Sequence, residues 1–118
     1  MQYSGLEDRR IFERIPLDSS AYFFCTKTKR WGSVRLKDMS AKGVGFLANE
    51  ALEPGCTLEM WLSLPERDGF FYTCGDVVWS GPADPDKRFV GVELRKAELA
   101  GMAQVLRTVK QVAHSRSS

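Results

Sequence analysis

The hydrophobic positions of the chain follow two different periods, and the change comes near residue 96. From Tyr22 to Leu94, apolar and polar residues alternate in short runs separated by turn residues such as Pro54-Gly55 and Asp68-Gly69. The clearest alternation is Thr57–Leu64, in which every second residue is apolar. The pattern predicts six strands, over 22–26, 33–37, 44–48, 57–64, 70–79 and 89–94.

Beyond residue 96 the spacing becomes helical, because apolar residues recur at steps of three and four. They are Leu99, Met102, Leu106, Val109 and Ala113. Such a stripe is typical of a helix that packs on a sheet. Closing six strands into a barrel would remove exposed strand edges. We therefore predict a mainly β fold, a six-stranded antiparallel β-barrel with a C-terminal α-helix packed on it.

The length of 118 residues suits one domain with a single hydrophobic core. We predict a flexible N-terminal arginine loop over 1–15, the barrel and its helix over 16–113, and a disordered tail over 114–118. Residues 81–87 are predicted to form a loop between strands.

No run reaches the 18 or so apolar residues of a membrane span, and the N-terminus lacks a signal-peptide core. A cytoplasmic protein without membrane insertion is expected.

Composition narrows the chemistry further. The formal net charge of +2 argues against a general nucleic-acid binder, so any recognition of an anion should be local. The single histidine, His114, lies in the polar tail, which argues against a His-based metal site or a Ser/His/Asp triad. The odd number of cysteines, Cys25, Cys56 and Cys74, suggests buried free thiols in a reducing compartment. We expect no enzymatic activity, no metal and no cofactor.

The segment Asp38–Gly43, DMSAKG, interrupts the strands with residue types that suit either a turn or a ligand site. In a turn, Asp38 and Ser40 would bond to their own backbone, and Gly43 would tolerate a positive φ. In a ligand site, an ionised Asp38 would accept two hydrogen bonds and would match the N1–H and N2–H₂ edge of guanine. Ser40 would donate or accept a hydrogen bond there, and Gly43 would allow close approach of the backbone. The two interpretations are compatible, because turns on a rigid barrel often present binding groups.

An arginine pair, Arg10 and Arg14, stands near the N-terminus. Side chains four residues apart can point the same way on a helix or on an extended chain. Guanidinium groups bind phosphate oxygens and guanine O6/N7 in bidentate fashion, and they stack on purine rings. Alternatively, Glu7, Asp8 and Glu13 pair with these arginines on a solvated segment. With a guanine-edge acceptor elsewhere in the chain, the pair would supply what a guanine nucleotide needs.

The order R-x-x-x-R at 10–14 and D-x-S-x-x-G at 38–43, followed by strands and a terminal helix, resembles the PilZ domain family. The resemblance runs from about Asp8 to Val109. It includes the last strands, with VVW at Val77–Trp79 and FVGVEL at Phe89–Leu94. Each motif is short, but their order, spacing and strand context are specific in combination.

The resemblance implies a receptor, not an enzyme, that binds the bacterial second messenger cyclic di-GMP. It implies that Arg10 and Arg14 contact phosphates and guanine faces. It also implies that Asp38 and Ser40 read the edge of a guanine and that Gly43 leaves room for the base.

The resemblance also bears on stoichiometry and mechanism. Arg9 directly precedes the first motif arginine, and in the family a basic residue there accompanies an intercalated pair of ligand molecules. Binding of two cyclic di-GMP molecules per site is therefore a hypothesis. The implied mechanism is an order–disorder switch, in which the N-terminal loop folds over the ligand and signals to a protein partner of the motility, exopolysaccharide or pilus machinery.

Two other kinds of protein stay open on the residues alone. One is a small β-barrel that binds RNA or single-stranded DNA through aromatics and arginines, and the other is a structural adaptor without a ligand. The near-neutral charge counts against the first.

Among single residues, we expect Trp79 and Phe89 in the core and Trp61 on the outer face. Gly91 marks either close approach of a ligand or a β-bulge.

Overall fold

The strands of the computed structural model form a closed barrel. The structure describes residues 14–64, 68–84 and 86–117. All strand pairs are antiparallel, and their order around the barrel is β1-β2-β3-β6-β5-β4. The strands are β1 Ile15–Cys25, β2 Arg30–Met39, β3 Gly43–Ala48, β4 Thr57–Leu62, β5 Phe71–Asp84 and β6 Lys87–Leu94. A 3₁₀ turn at Lys96–Glu98 leads into the helix α1, Leu99–Ser117.

This architecture confirms the predicted barrel and helix, but several element ends differ from the prediction. β1 begins at Ile15 and includes Pro16, which pairs with Asp38 beside a register irregularity where a strand tolerates proline. β5 continues to Asp84, so the first half of the predicted loop over 81–87 is strand. The helix continues to Ser117, past the end predicted from its apolar stripe. Arg9 and Arg10 of the predicted arginine loop lie outside the described residues.

The alternation of the strands sorts their side chains between the barrel interior and its outer face. In β4 the pattern is regular, with Leu58, Met60 and Leu62 fully buried and the residues between them half-buried. The largest interior side chains are Phe23 on β1 and Phe46 on β3. The core is therefore a single apolar cluster filled from all six strands.

Helix α1 packs on this same core through the predicted stripe. Met102, Leu106 and Val109 are buried and belong to the apolar cluster of the barrel, while Leu99 is half-buried at its edge. The Thr73 hydroxyl donates to Glu98 Oε1 at 3.3 Å, which ties β5 to the turn that precedes the helix.

A polar cluster also holds the junction between β6 and the helix. Arg95 donates from Nε to Asp76 Oδ2 at 3.0 Å and from Nη2 to Asp76 Oδ1 at 2.9 Å. Thr57 donates to Asp76 Oδ1 at 2.7 Å. The hydrogen bonds from Arg95, and then that from Thr57, lower the pKa of Asp76 below its usual value. The cluster links β4 and β5 to the segment that follows β6.

The cysteines are all free, as predicted. Cys25 and Cys56 are buried, whereas Cys74 is half-buried on the outer side of β5, so the prediction of burial holds for two of the three. Burial is the main cause that raises the pKa values of the Cys56 and Cys74 thiols.

Candidate functional site

A row of four paired residues crosses one face of the barrel and begins at Asp38, one of the predicted site residues. Asp38 on β2 pairs with Gly45 on β3, Gly45 pairs with Gly91 on β6, and Gly91 pairs with Trp79 on β5. Because directly paired residues have side chains on the same face of a sheet, Asp38 and Trp79 stand at the two ends of a floor made of glycine.

Two β-bulges flank this floor. Lys37 is an extra residue between the pairs formed by Leu36 and Asp38, and Val78 is an extra residue between the pairs formed by Val77 and Trp79. A bulge bends its strand and redirects the neighbouring side chain, and bulges are frequent beside binding sites. Asp38 and Trp79 each follow directly on an extra residue.

The glycines of the floor are covered by the side chains at its ends. A Cβ added at Gly45 would lie 2.8 Å from Asp38 Oδ1, and one added at Gly91 would lie 2.3 Å from Trp79 Nε1. The carboxylate therefore lies over Gly45 and the indole lies over Gly91. A β-bulge lies opposite Gly91, at Val78 on β5. Close approach of a ligand to Gly91 stays a prediction.

The predicted burial of Trp79 in the core is wrong. The side chain is 47% exposed, because the bulge places both Val78 and Trp79 on the outer face. Phe89 is also outside the core and half-buried, and its ring contacts that of Trp79 edge-on at a centroid distance of 5.6 Å. An exposed indole thus borders the site that was predicted from polar residues alone.

Arg14 reaches this site from the residue before β1. Its Nε lies 3.2 Å from Asp38 Oδ1, and its Nη1 donates to the Ser40 hydroxyl at 3.4 Å. The contact with Asp38 is an ion pair without hydrogen-bond alignment, and Oδ1 is a buried acceptor with no hydrogen-bond donor among the described groups.

The predicted turn is confirmed only for the middle of DMSAKG, because Asp38 and Met39 end β2 and Gly43 begins β3. The turn is residues 40–42, and its serine holds it. Ser40 is only 2% exposed, and its Oγ accepts a hydrogen bond from the Lys42 backbone N–H at 3.3 Å. The Ser40 backbone N–H donates to the Gly43 carbonyl at 2.8 Å. The hydroxyl therefore serves the turn and contacts Arg14 at the same time.

Gly43 has a structural role that was not predicted. It does not have a positive φ, in contrast to Gly55 and Gly69. A Cβ at Gly43 would lie 2.3 Å from the Val92 carbonyl oxygen, so the glycine allows β6 to approach β3 closely. The site next to it depends on this backbone contact.

Beside the glycine floor lies an open cavity of about 260 Å³. Its lining includes Arg14, Ser40 and Gly43 from the predicted set, together with Trp79. An ion pair between Lys42 and Glu93, 3.3 Å apart, forms part of its rim. A cavity of this size is close to the lower end of the range for small-molecule sites, about 300–1,000 Å³.

The structure thus brings together four of the six predicted site residues. Arg14 contacts Asp38 and Ser40, and the Gly43 carbonyl accepts the backbone hydrogen bond from Ser40 that closes the turn. Arg9 and Arg10 lie outside the described residues. The role of Gly45 in the floor and the exposure of Trp79 were not predicted, because a one-residue bulge leaves no mark on short-range alternation.

Other kinds of site are not found among residues 14–64, 68–84 and 86–117. There, no group of three or more His, Cys, Asp or Glu side chains is placed to hold a metal ion. Within the same residues, no helix has the length and apolar character that crossing a bilayer requires.

Similar folds occur in solved structures of low sequence identity. The PilZ domain of YcgR from Escherichia coli, solved with c-di-GMP, has a TM-score of 0.70 and 14% identity, with 92% of this chain and 97% of that chain covered. The Bacillus subtilis inhibitor of motility MotI/DgrA has a TM-score of 0.69 and 13% identity, with 100% and 55% covered. The MrkH–c-di-GMP complex of K. pneumonia has a TM-score of 0.62 and 11% identity, with 99% and 55% covered.

The chain spans about half the length of MotI/DgrA and of MrkH. A search of curated proteins gives no match. The family model described as PilZ domain matches residues 8–111, which include both arginines of R-x-x-x-R, the DMSAKG turn and all six strands. This match covers most of the sequence, and the closed barrel with its C-terminal helix agrees with it. The chain belongs to the PilZ domain family.

Proposed function

We propose that the protein is a receptor for cyclic di-GMP. The observation that carries the proposal is the buried Asp38 Oδ1, which has no hydrogen-bond donor among the described residues and lies 3.2 Å from Arg14, a residue that lines an open cavity. A guanine presents two adjacent donors, N1–H and N2–H₂, and a carboxylate can accept both. Pairing with that edge would satisfy the acceptor and give the site a preference for guanine.

The glycine floor and the indole suit a flat base. Gly43 and Gly91 line the cavity without side chains, and Trp79 lies over Gly91 at its border. An aromatic ring next to a base contributes about 1–3 kcal/mol when the two stack. We infer that one guanine lies in this cavity beside the floor, with its edge towards Asp38 and its face against Trp79.

The arginines supply the chemistry for the rest of the ligand. Arg14 is 44% exposed, so its guanidinium can exchange the Asp38 carboxylate for a phosphate without a large rearrangement. Arg10 is four residues earlier, at most about 14 Å away along an extended chain, and lies within reach of the same ligand. Arg9 precedes it directly and is the residue that could contact a second, intercalated ligand.

The related structures support the same ligand. YcgR and MrkH were each solved with c-di-GMP, and MotI/DgrA is named as an inhibitor of motility. We propose that this chain acts as a non-enzymatic cytoplasmic module, in which ordering of the arginine segment over the ligand changes a surface that a protein partner recognises. The partner belongs to a process such as motility, exopolysaccharide synthesis or pilus assembly.

Titration calorimetry with cyclic di-GMP tests this proposal. We expect binding by the wild-type protein and a loss of affinity of about tenfold to a hundredfold in Arg14→Ala and in Asp38→Asn, since each removes a charge-assisted contact. Arg107→Ala, on the exposed side of the helix, is the matched control and should bind like the wild type.

Two further ligands check the assignment of Asp38. GMP should bind weakly, and cyclic di-AMP should not bind, because adenine lacks the N1–H and N2–H₂ donors. Equal affinity for cyclic di-AMP, or full affinity in Asp38→Asn, would show that this carboxylate does not read guanine. A stoichiometry of two that falls to one in Arg9→Ala would support the intercalated pair, and a wild-type stoichiometry of one would exclude it.

A further inference from the structure

A continuous aromatic surface covers another part of the outer face of the barrel. We call it the aromatic face. It is formed by side chains from β1, β2, β4, the start of β5 and the residue before β5. Its members are Tyr22, Phe24, Trp31, Trp61, Phe70 and Tyr72.

The rings of this surface are held in place by one another. Trp31 stacks on Trp61 with centroids 5.3 Å apart and planes at 28°, and Trp61 contacts Tyr72 at 5.4 Å. Tyr22 pairs with Trp61 across the β1–β4 ladder and meets Phe70 edge-on at 5.5 Å. Because the rings are already packed, covering them would cost little side-chain entropy.

The aromatic face lies on the side of the barrel opposite the candidate ligand site. In the strand order β1-β2-β3-β6-β5-β4, the ligand site is centred on the adjacent pair β3 and β6. The aromatic face is centred on β4 and β1, which meet where the barrel closes. The ligand proposed above would therefore not cover these rings.

The exposed area of the aromatic face is large for a protein of this size. Tyr22, Trp31, Phe70 and Tyr72 are between 44% and 65% exposed. With roughly 200 Å² for each aromatic side chain, these four alone leave about 400 Å² of ring surface in water. A standard interface buries about 800 Å² on each partner, of which roughly 500 Å² is apolar. The aromatic face can supply most of that apolar area.

The charges around the aromatic face indicate which kind of partner fits it. Lys27 and Lys29 are exposed on the β1–β2 turn at one end, and Asp68 is exposed beside Phe70 at the other. Within the part of the chain that the structure describes, none of these three forms a salt bridge. Glu59 lies among the rings and accepts a hydrogen bond from the Tyr72 hydroxyl at 3.3 Å.

This distribution disfavours a uniformly anionic partner, because a carboxylate within the surface would repel phosphate groups of lipid or nucleic acid. It favours a surface that is itself basic at one end and acidic at the other. A second copy of the chain offers such a surface. If the β1–β2 turn of one copy lies over the β4–β5 loop of the other, Lys27 and Lys29 meet Asp68 twice.

We propose that the aromatic face is a homodimer interface, closed by this reciprocal contact of the basic turn with Asp68. The contact is isologous, so two copies satisfy it and growth stops at the dimer. Since both ligand sites remain on the outside, the dimer forms with or without cyclic di-GMP. The proposal therefore stands or falls independently of the proposed ligand.

Sedimentation equilibrium at protein concentrations of about 1–100 µM tests the interface. Dissociation constants near the middle of this range can be measured directly. We expect the wild-type mass to be twice 13.3 kDa. Trp31→Glu should weaken the dimer at least tenfold, because it places a charge among the buried rings. Val78→Glu is the matched control, an exposed apolar residue on the other side of the barrel, and should leave the dimer intact.

A second set of variants tests the arrangement without altering the rings. Lys27→Glu with Lys29→Glu should dissociate the dimer, and adding Asp68→Lys should restore it, while circular dichroism shows that each variant is folded. A wild-type monomer throughout the range overturns the proposal, as does a dimer unaffected by Trp31→Glu. A monomer that binds anionic vesicles or an oligothymidine through Trp31 also overturns it. The aromatic face would then be a binding site for lipid or for single-stranded nucleic acid.

Discussion

Two glycines of β3 perform different tasks although they stand only two residues apart. Gly45 makes room for the Asp38 carboxylate, whereas Gly43 makes room for the carbonyl of Val92. The first contact is with the end of a flexible side chain, which can move aside. The second is with backbone of the neighbouring strand, which cannot move without disturbing the barrel.

This difference leads to a matched pair of substitutions. Gly45→Ala should lower the affinity for cyclic di-GMP by about tenfold, because it displaces Asp38, and should change the stability by less than about 1 kcal/mol. Gly43→Ala should instead destabilise the fold by about 1–3 kcal/mol. Calorimetry measures the first effect and urea unfolding the second. Wild-type affinity in Gly45→Ala would show that the observed position of Asp38 is not the one that binds.

For single residues, the sequence was enough to identify candidate site residues but not the structural environment of each one. Arg14, Asp38 and Ser40 were recognisable because few side chains have their hydrogen-bonding capacity, and they do meet. Trp79 was misplaced, because apolar residues in a strand are usually interior and the extra residue Val78 reverses that assignment. Gly43 was identified correctly as special, but its reason lies on another strand and could not be read locally.

The polar cluster between β5 and the segment after β6 makes a prediction at the scale of elements. The pKa of Asp76 is lowered by its hydrogen bonds with Arg95 and Thr57. A carboxyl with a depressed folded pKa stabilises the fold fully above its unfolded value, 3.8, and loses that contribution as the pH falls through the folded pKa.

We therefore expect Asp76→Asn to lower the melting temperature at pH 7 by no more than about 5 °C, since the cluster is partly exposed and screened by water. The difference from the wild type should shrink below about pH 4 and disappear at lower pH. Circular dichroism melts from neutral to acid pH measure it, with Asp86→Asn, at an exposed carboxylate outside both proposed sites, as the control. A difference that stays constant in acid would mean that the carboxylate charge is not what stabilises the junction.

The elements themselves were predictable, and their ends were not. Alternation marks each strand because interior and exterior positions repeat every two residues. β1 and β5 extend past Pro16 and Pro82, however, because partners on β2 and β6 supply their pairing. Proline and glycine in a single sequence indicate a turn, and only the neighbouring strands decide whether the chain continues.

At the scale of the whole molecule, the closed barrel separates two surfaces. The candidate ligand site is centred on β3 and β6, and the aromatic face is centred on β4 and β1. We expect Trp31→Glu to bind cyclic di-GMP with an affinity within about threefold of the wild type, because the substitution touches nothing near Asp38. Calorimetry at a concentration where this variant is monomeric measures it. A larger loss would show that the two faces are coupled.

The six alternating runs were enough to predict a barrel, but they did not predict which strands pair with each other around it. The pairing of β3 with β6 brings the glycines of two distant segments together, and it is this pairing that creates the floor of the site. Likewise, six aromatic residues spread over 51 positions of sequence, from 22 to 72, become one surface only when the barrel closes. Long-range pairing carries this information, and short-range periodicity does not.

The extra residues Lys37 and Val78 also have an evolutionary consequence. Interior side chains keep their alternation on both sides of each bulge, so removing either residue would leave every core position in phase. A barrel without these bulges could therefore acquire the site by two single-residue insertions, and neither insertion would require substitutions in the core. The same separation means that residues of the candidate site can change while the apolar interior stays the same.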